Sequence, residues 1–462
     1  MNQARCSDLI EILTMKPIQV GLLGIGTVGS GVFNVLQRNQ EEIRRRAGRG
    51  IEVVAVSRRD QAKAREIVGD AAAVVADPRD IIRNPDIDIV VELIGGYTLA
   101  RELVLEAIAA GKHVVTANKA LLAVHGTEIF AAAAAKGVMV AFEAAVAGGI
   151  PIIKALREGL TANSIQWIAG IINGTTNFIL SEMRDKGLDF DVVLKEAQRL
   201  GYAEADPTFD IEGVDAAHKA TIMSAIAFGI PVQFDKAYVE GITQLAGADI
   251  KYAEQLGYRI KLLGIAKRRT GEGVDGVELR VHPTLIPAKR LIANVEGAMN
   301  AVVVQADAVG TTLYYGKGAG SEPTASAVIA DLVDIARLAS ADPGHRVPYL
   351  AFQPHTLDQA QAALPVLPAS EFITSYYLRL RVADQAGVLT QVTGLLAGAG
   401  ISIDAVLQRE ADEVGGEGSA QTDLIILTHE TREGTMNDAI VQMQALPTVL
   451  APITRIRKEE LN

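Results

Sequence analysis

The chain has 462 residues, 49% of them hydrophobic and 21% charged, a composition that supplies two or three ordinary cores and excludes a disordered protein. A formal net charge of −11 argues against a nucleic-acid binder, which carries a basic face. A lone cysteine, Cys6, excludes a disulfide framework and a cysteine-based zinc cage. The longest apolar stretch, FAAAAAKGVMVAFEAAVAGGIPII, is interrupted by Lys136 and Glu143, so no run reaches the roughly 18 uncharged residues of a membrane span. The first residues set Arg5 beside Asp8 and Glu11 and lack the parts of a signal peptide, so residues 1–15 read as a tail, with Met15 as an alternative start. These features suit a cytoplasmic enzyme that meets neither nucleic acid nor membrane.

From Ile18 to Gln37, IQVGLLGIGTVGSGVFNVLQ predicts a buried strand, a glycine turn and a helix. Gly24, Gly26 and Gly29 form G-x-G-x-x-G, with Ile25, Thr27 and Val28 between them. The first glycine makes the tight turn, the second lets a pyrophosphate touch the backbone, and the third packs helix against strand. The helix N-terminus supplies N–H donors and partial positive charge to the phosphates. A bare glycine motif is also a common structural turn; its place at the head of a strand-helix-strand pattern favours dinucleotide binding. The next strand, IEVVAVSRR, ends at Ser57, where an NAD-selective protein places an acid that bonds the ribose 2′-hydroxyl. Arg58 and Arg59 suit the 2′-phosphate of NADP instead, because a guanidinium fork matches phosphate oxygens. A solvated basic turn is the plainer reading, and Asp60 keeps NAD use open.

Two further strand-and-loop segments, DIDIVVELIGG and KHVVTANKALL, place Gly95, Gly96, Asn118 and Lys119 at strand C-termini, where the ligand crevice of a parallel sheet lies. Lys119 directly after a buried strand needs either a partner or an outlet to solvent. IQWIAGIINGTTNFILSEM then predicts a strand, the polar loop with Asn173, Gly174, Thr175 and Thr176, and a helix whose start suits a carboxylate or is only capped. LGYAEADPTFDIEGVDAAHK follows, crowding carboxylates around a turn-rich segment. Asp215 and Lys219, four apart, share one face if this segment is helical; the same spacing also describes an ordinary surface ion pair.

The pattern A-x-x-x-G-Y-A-E-A-D-P-x-x-D-I-E-G-x-D-x-x-x-K, from Ala197 to Lys219, resembles the signature of homoserine dehydrogenases. The resemblance runs over nearly the whole chain from Ile18, through GLLGIGTVGSG, ELIGG, KHVVTANKALLA, FEAAVAGGIPII, GIINGTTNFIL and YYGKGAGSEPTASAV. It implies reduction of L-aspartate 4-semialdehyde to L-homoserine with NAD(P)H, NADPH preferred, on the way to threonine and methionine. By the same similarity Lys219 is the proton donor and Lys119 stands across the crevice. Glu204 holds the substrate, and Asp210 and Asp215 help form the polar site. The family also binds a monovalent cation, Na+ or K+, which places the backbone carbonyls of Glu143, Val146, Gly148 and Ile150 as ligands; read locally, that segment is equally a tight glycine-rich hinge. Gly318 to Ser321, Gly320 among them, are expected on the nicotinamide side, and a homodimer or homotetramer is a family expectation.

After a proline-containing connection, YYLRLRVADQAGVLTQVTGLLAGAGISIDAVLQRE begins a βαββαβ order that resembles an ACT domain, a ligand-sensing module. L-threonine is the effector the pathway suggests; a plain dimerisation module is the alternative, and the acidic loop ADEVGGEGSAQ identifies no ligand. The expected fold is α/β. A tail (1–15) precedes a Rossmann-type NAD(P)-binding domain (16–147, completed by about 310–340) and an α/β catalytic and dimerisation domain (148–310); a linker (341–372) leads to an ACT regulatory domain (373–458). Aspartate-semialdehyde dehydrogenase needs a nucleophilic thiol, and Cys6 lies ahead of the nucleotide-binding strand. A different amino-acid dehydrogenase or a non-catalytic NAD(P)-binding sensor are the remaining alternatives.

Overall fold

Strand β1 (Ile18–Leu23), IQVGLL, is buried at all but Gln19, as befits a parallel strand covered on both faces. The computed structural model describes residues 16–271, 274–343, 346–352, 364–408 and 421–462. The tail with Cys6 and Met15, part of the connection and the loop ADEVGGEGSAQ up to Ala420 lie outside them. Helix α1 (Thr27–Arg38) follows β1, then β2 (Ile51–Ser57), β3 (Ala73–Val75), β4 (Ile89–Glu92), α2 (Thr98–Ala109), β5 (His113–Thr116), α3 (Lys119–Lys136), β6 (Val140–Ala141) and β7 (Ile165–Ile171). Next come α4 (Gly174–Lys186), α5 (Val214–Phe228), β8 (Tyr238–Val239), α6 (Gly247–Gln255), β9 (Tyr258–Arg269) and β10 (Gly276–Pro287). Then follow β11 (Met299–Ala306), β12 (Gly310–Lys317), α7 (Ser321–Leu338) and β13 (Ile373–Ala383). The last are α8 (Val388–Gly398), β14 (Ile403–Gln408), β15 (Gln421–Thr428), β16 (Thr431–Arg432), α9 (Glu433–Gln444) and β17 (Thr454–Lys458).

The described residues fall into two compact units. The first takes in those up to Ile168, with His218–Asp235 and Met299–Leu364. Its centre is a six-stranded parallel sheet in the order β3-β2-β1-β4-β5-β6. The order reverses at β1, between β2 and β4, so the loops after β1 and β4 open on the crevice where such sheets bind ligands. Val20, Leu22, Val53, Ile89 and Val91 from the sheet, Val32 and Leu36 from α1, and Val328, Leu332 and Ile335 from α7 form one buried cluster. Helix α7, nearly three hundred residues downstream of α1, thus packs into the nucleotide-binding core. The β11–β12 hairpin, paired from Met299↔Lys317 to Ala306↔Gly310, leads into it.

The second unit comprises Ala169–Ala217, Lys236–Ala298 and Pro365–Asn462. Its C-terminal part is the βαββαβ arrangement, with strands in the order β17-β13-β15-β14. Along β13 the side chains alternate. Tyr376, Leu378, Leu380 and Val382 meet Val388, Val392 and Leu396 of α8 and Met436 and Met443 of α9 in one core. Tyr377 and Arg379 face the other way and meet α6: the Tyr377 hydroxyl donates to Asp249 Oδ1 (3.0 Å), and Arg379 grips both oxygens of Asp249 (2.6 and 3.0 Å). Asp249 is fully buried, and the bidentate arginine is what keeps such a carboxylate tolerable away from water. The module is not tethered by the connection alone. Strand β17 pairs in parallel with β10 at Thr284↔Arg457 and Leu285↔Lys458, so its sheet continues into the β9–β10 hairpin.

Candidate active site

The loop after β1 forms the cradle expected of G-x-G-x-x-G. Gly24 adopts φ 104°, and its N–H donates to Ser57 O (3.2 Å). Ile25 is buried, and Thr27 and Val28 open α1. A β-carbon on Gly29 would stand 2.4 Å from the Gly24 carbonyl, whereas one on Gly26 would meet nothing within 4 Å. Gly26 therefore fronts open space, where a pyrophosphate has room, and Gly29 lets the loop close on itself. A second close approach falls at Gly31, where a β-carbon would lie 2.6 Å from Ser321 O of α7. The sequence motif does not mark Gly31. Ser321 Oγ donates to Thr27 O (2.6 Å), which brings the predicted Gly320 beside the cradle.

Arg58 Nη1 donates to Ile25 O (2.8 Å), so its guanidinium lies against the glycine loop. Asp60, the group that kept NAD open, instead caps the following helix by accepting Lys63 N–H (3.2 Å), and that bond holds its carboxyl below the usual range. These residues fit a nicotinamide dinucleotide. Gly95 and Gly96, both at positive φ, follow Glu92. Glu92 is fully buried; its carboxylate accepts Ile94 N–H (2.8 Å), Gly95 N–H (2.9 Å) and the Thr116 hydroxyl (2.7 Å). Sequence reasoning quoted this glutamate and gave it no role, yet it fixes the loop beside the cradle. The only available signal was an acid closing an apolar strand.

Asn118 caps α3, its Oδ1 accepting Leu121 N–H (3.0 Å), while Nδ2 donates to Gly96 O (2.8 Å). Lys119 is therefore the first residue of a helix tied to the loop after β4. Tyr97, from that same loop, meets the ring of His218 edge-on with centroids 6.5 Å apart, and His218 adjoins Lys219 on α5. Asp215 and Lys219 are 5% and 9% exposed, so this spacing is no surface ion pair.

In the second unit Asn173 draws the predicted carboxylates together. Its Oδ1 accepts Thr176 N–H (2.9 Å) at the start of α4, and its Nδ2 donates to Asp210 Oδ1 (2.7 Å) and Asp215 Oδ2 (2.9 Å). Gly174 opens α4; the Thr175 hydroxyl donates to Tyr202 O (2.7 Å) and that of Thr176 to Asn173 O (3.1 Å), so both are turned to the protein. Glu204 is exposed, and its carbonyl accepts Gln198 Nε2 (3.1 Å). Below α4, Lys261 donates to Val295 O (2.6 Å) and Asn177 Oδ1 (3.0 Å); burial pushes its ammonium down to about 8.

The segment proposed for a cation turns through Ala147 (φ 55°) and Gly148 (φ 50°). Glu143 O accepts Val146 N–H (3.4 Å) and Ile150 O accepts Ile152 N–H (2.8 Å), which leaves each oxygen a second lone pair for a hard cation. The Glu143 carboxylate is occupied separately by Ile153 N–H (2.9 Å) and Lys154 N–H (2.8 Å), and its own N–H donates to Asp331 Oδ2 (2.8 Å). Burial raises both carboxyls above their ordinary range. Among the described residues no three His, Cys, Asp or Glu side chains cluster as metal ligands, and no helix is long and apolar enough to cross a membrane.

Family models match three stretches of the chain: homoserine dehydrogenase over residues 151–333, the homoserine dehydrogenase NAD binding domain over 24–143 and the ACT domain over 376–442. The homoserine dehydrogenase of Pseudomonas aeruginosa is 61% identical over 449 residues, 97% of this chain and 100% of the relative. That of Neisseria gonorrhoeae is 58% identical over 448 residues, again 97% and 100%. Among solved structures, a homoserine dehydrogenase from Thiobacillus denitrificans superposes with a TM-score of 0.90 at 64% identity, covering 97% of this chain and 99% of that one. A hyperthermophilic archaeal homoserine dehydrogenase in complex with NADPH gives 0.60 at 26% identity, covering 71% and 99%. With a dinucleotide cradle, a buried carboxylate-amide cluster and a C-terminal βαββαβ module in the expected chain order, the chain belongs to the homoserine dehydrogenase family, NAD(P)-dependent oxidoreductases acting on a CH–OH group.

Proposed function

We propose that the chain reduces L-aspartate 4-semialdehyde reversibly to L-homoserine, with NADPH preferred over NADH, in the cytoplasmic synthesis of threonine and methionine. The observation that carries this reading is the Asn173 amide joined to Asp210 and Asp215, one helical turn ahead of Lys219 on α5. When bound, the nicotinamide supplies the hydride that adds to the aldehyde carbon. Lys219 gives the carbonyl oxygen its proton, and Lys119 adds positive charge as the alkoxide develops. Asp215 orients Lys219 from one turn away. Asp210, Glu204 and the carboxylate cluster receive the substrate ammonium, while the backbone N–H groups of Gly174 and Thr175 at the start of α4 receive its carboxylate.

Gly24 to Gly29 hold the pyrophosphate, Gly95 and Gly320 flank the ring, and Arg58 bonds the 2′-phosphate. The archaeal relative's complex with NADPH and the capping role of Asp60 support that preference. The carbonyls of Glu143, Val146, Gly148 and Ile150 hold Na+ or K+. L-threonine acts at the ACT module, and the enzyme works as a homodimer or homotetramer. Steady-state oxidation of NADPH and of NADH with aspartate 4-semialdehyde, each with and without threonine, tests the reading. The expected result is turnover of the semialdehyde with higher kcat/KM for NADPH and inhibition by threonine. Equal efficiency with NADH would overturn the Arg58 assignment, and no turnover of the semialdehyde would overturn the whole.

A further inference from the structure

Strand β17 carries a fully buried arginine, Arg457, whose fork is divided between two elements of the second unit. Its Nε donates to Glu433 Oε2 (2.8 Å) on α9, within its own module, and Nη2 bonds the other oxygen of Glu433. Nη1 reaches outside the module to Glu240 Oε2 (2.8 Å), directly after β8. The guanidinium also lies 4.5 Å from the centroid of the Tyr238 ring, and the Tyr238 hydroxyl donates to the same Glu240 oxygen (2.7 Å). One carboxylate oxygen thus ties β8 to β17.

The segment around Glu240 lies against the loop that carries Asp210. Glu240 N–H donates to Val281 O of β10 (2.8 Å), Ile242 N–H to Ile211 O (2.8 Å), and the Thr243 hydroxyl to Glu212 Oε1 (3.1 Å). At Gly241 a β-carbon would stand 2.4 Å from Ile211 O and 2.5 Å from the Glu212 α-carbon, so the two backbones touch. Asp210 precedes Ile211 directly, and its carboxylate is one of the two bonded to Asn173. From Arg457 the contacts run without a gap through Glu240 and the Gly241 backbone to Ile211 and Asp210.

We propose that Arg457, from the ACT-type module, is a positioning residue for substrate binding: through Glu240 it sets the 238–243 segment that holds the Asp210 loop against Asn173. The inference rests on the proposed reading of Asp210 as a substrate-binding group. Removing one partner of a buried ion pair leaves an uncompensated charge, here on Glu433 and Glu240, so Arg457→Met costs stability whether or not the arginine has a positioning role. A positioning role is read instead from substrate binding, because the apolar chain leaves Glu240 Oε2, among the described residues, with only the Tyr238 hydroxyl and, at 3.9 Å, Arg455.

The test measures KM for L-homoserine, KM for NADP+ and kcat in full-length Arg457→Met, Arg457→Lys, Glu240→Gln and Asp210→Asn. Arg457→Met is expected to raise KM for homoserine about tenfold or more, roughly the effect of one charge-assisted hydrogen bond, with KM for NADP+ unchanged. Arg457→Lys should restore part of the loss, and Glu240→Gln, which leaves the Arg457–Glu433 pair intact, should reproduce it even if Arg457→Met does not fold. Unchanged homoserine KM in folded Arg457→Met, or in Glu240→Gln, while Asp210→Asn raises it, would overturn the positioning role. If Asp210→Asn itself leaves homoserine binding unchanged, the reading of Asp210 fails, and the inference falls with it. Equal rises in both KM values would mean general disruption and would also overturn it.

Discussion

Gly29 and Arg58 both contact the backbone of the glycine loop, at Gly24 O and Ile25 O, and each predicts a different loss. A methyl group on Gly29 pushes the Gly24 carbonyl out of the loop, since 2.4 Å is well inside contact distance. Gly29→Ala should lower stability by about 1–3 kcal/mol and weaken NADPH binding at least tenfold, measured by thermal melts and fluorescence titration. On the proposed reading Arg58→Ala removes a charge-assisted bond to the 2′-phosphate, worth about 1.5–3 kcal/mol, so KM for NADPH should rise about 10- to 100-fold. NADH loses only the brace on Ile25 O, and its KM should change less. Parallel rises for both cofactors would leave Arg58 as a loop brace alone. At this scale the sequence was informative where chemistry and spacing coincide, as in Asn173, Asp210 and Asp215. It was silent on Gly31 and Glu92, whose roles come from close approach and burial that no local pattern records.

Strands β4 and β5 end side by side, and their polar residues make the loops above them rigid. Glu92→Gln keeps the shape but sets an amide N–H₂ against donors now met by carboxylate oxygens; it should cost about 1–3 kcal/mol and raise KM for NADPH. His113, opening β5, accepts Met139 N–H at Nδ1 (2.9 Å) and so is held neutral. Burial, with Arg346 nearby, pushes its pKa down to about 4, against Asp88, which pulls it up. The unfolded chain, with an ordinary histidine near 6.5, binds more protons than the native state between these values. Stability from this group is therefore complete above about pH 6.5 and falls as pH drops toward 4, by up to about 3 kcal/mol. His113→Asn keeps an acceptor without the titration, so its melting temperature should fall less steeply from pH 6.5 to 4.5 than that of the wild type. Identical slopes would contradict this. The strands themselves were legible as apolar runs followed by glycine loops; the cross-strand bond to Met139 was not, because histidine gives no periodic signal.

For the whole molecule, the order of elements was readable because each class of element keeps its own period. Continuous apolar runs mark the parallel sheet, and alternation in YYLRLRV marks the C-terminal module. The joining of β17 to β10 rests on two residue pairs and left no trace in the pattern. Likewise, nothing in the local sequence of α7 ties Ser321 to Thr27, although the two meet across 294 residues of chain. The proposed mechanism requires buried Lys219 to deliver a proton as hydride arrives. Single-turnover reduction of L-aspartate 4-semialdehyde by Lys219→Ala, alongside an NADPH titration of the same variant, tests this directly. The expected result is a rate lower by about 10²- to 10⁴-fold with NADPH affinity unchanged; a rate within tenfold of the wild type would contradict it.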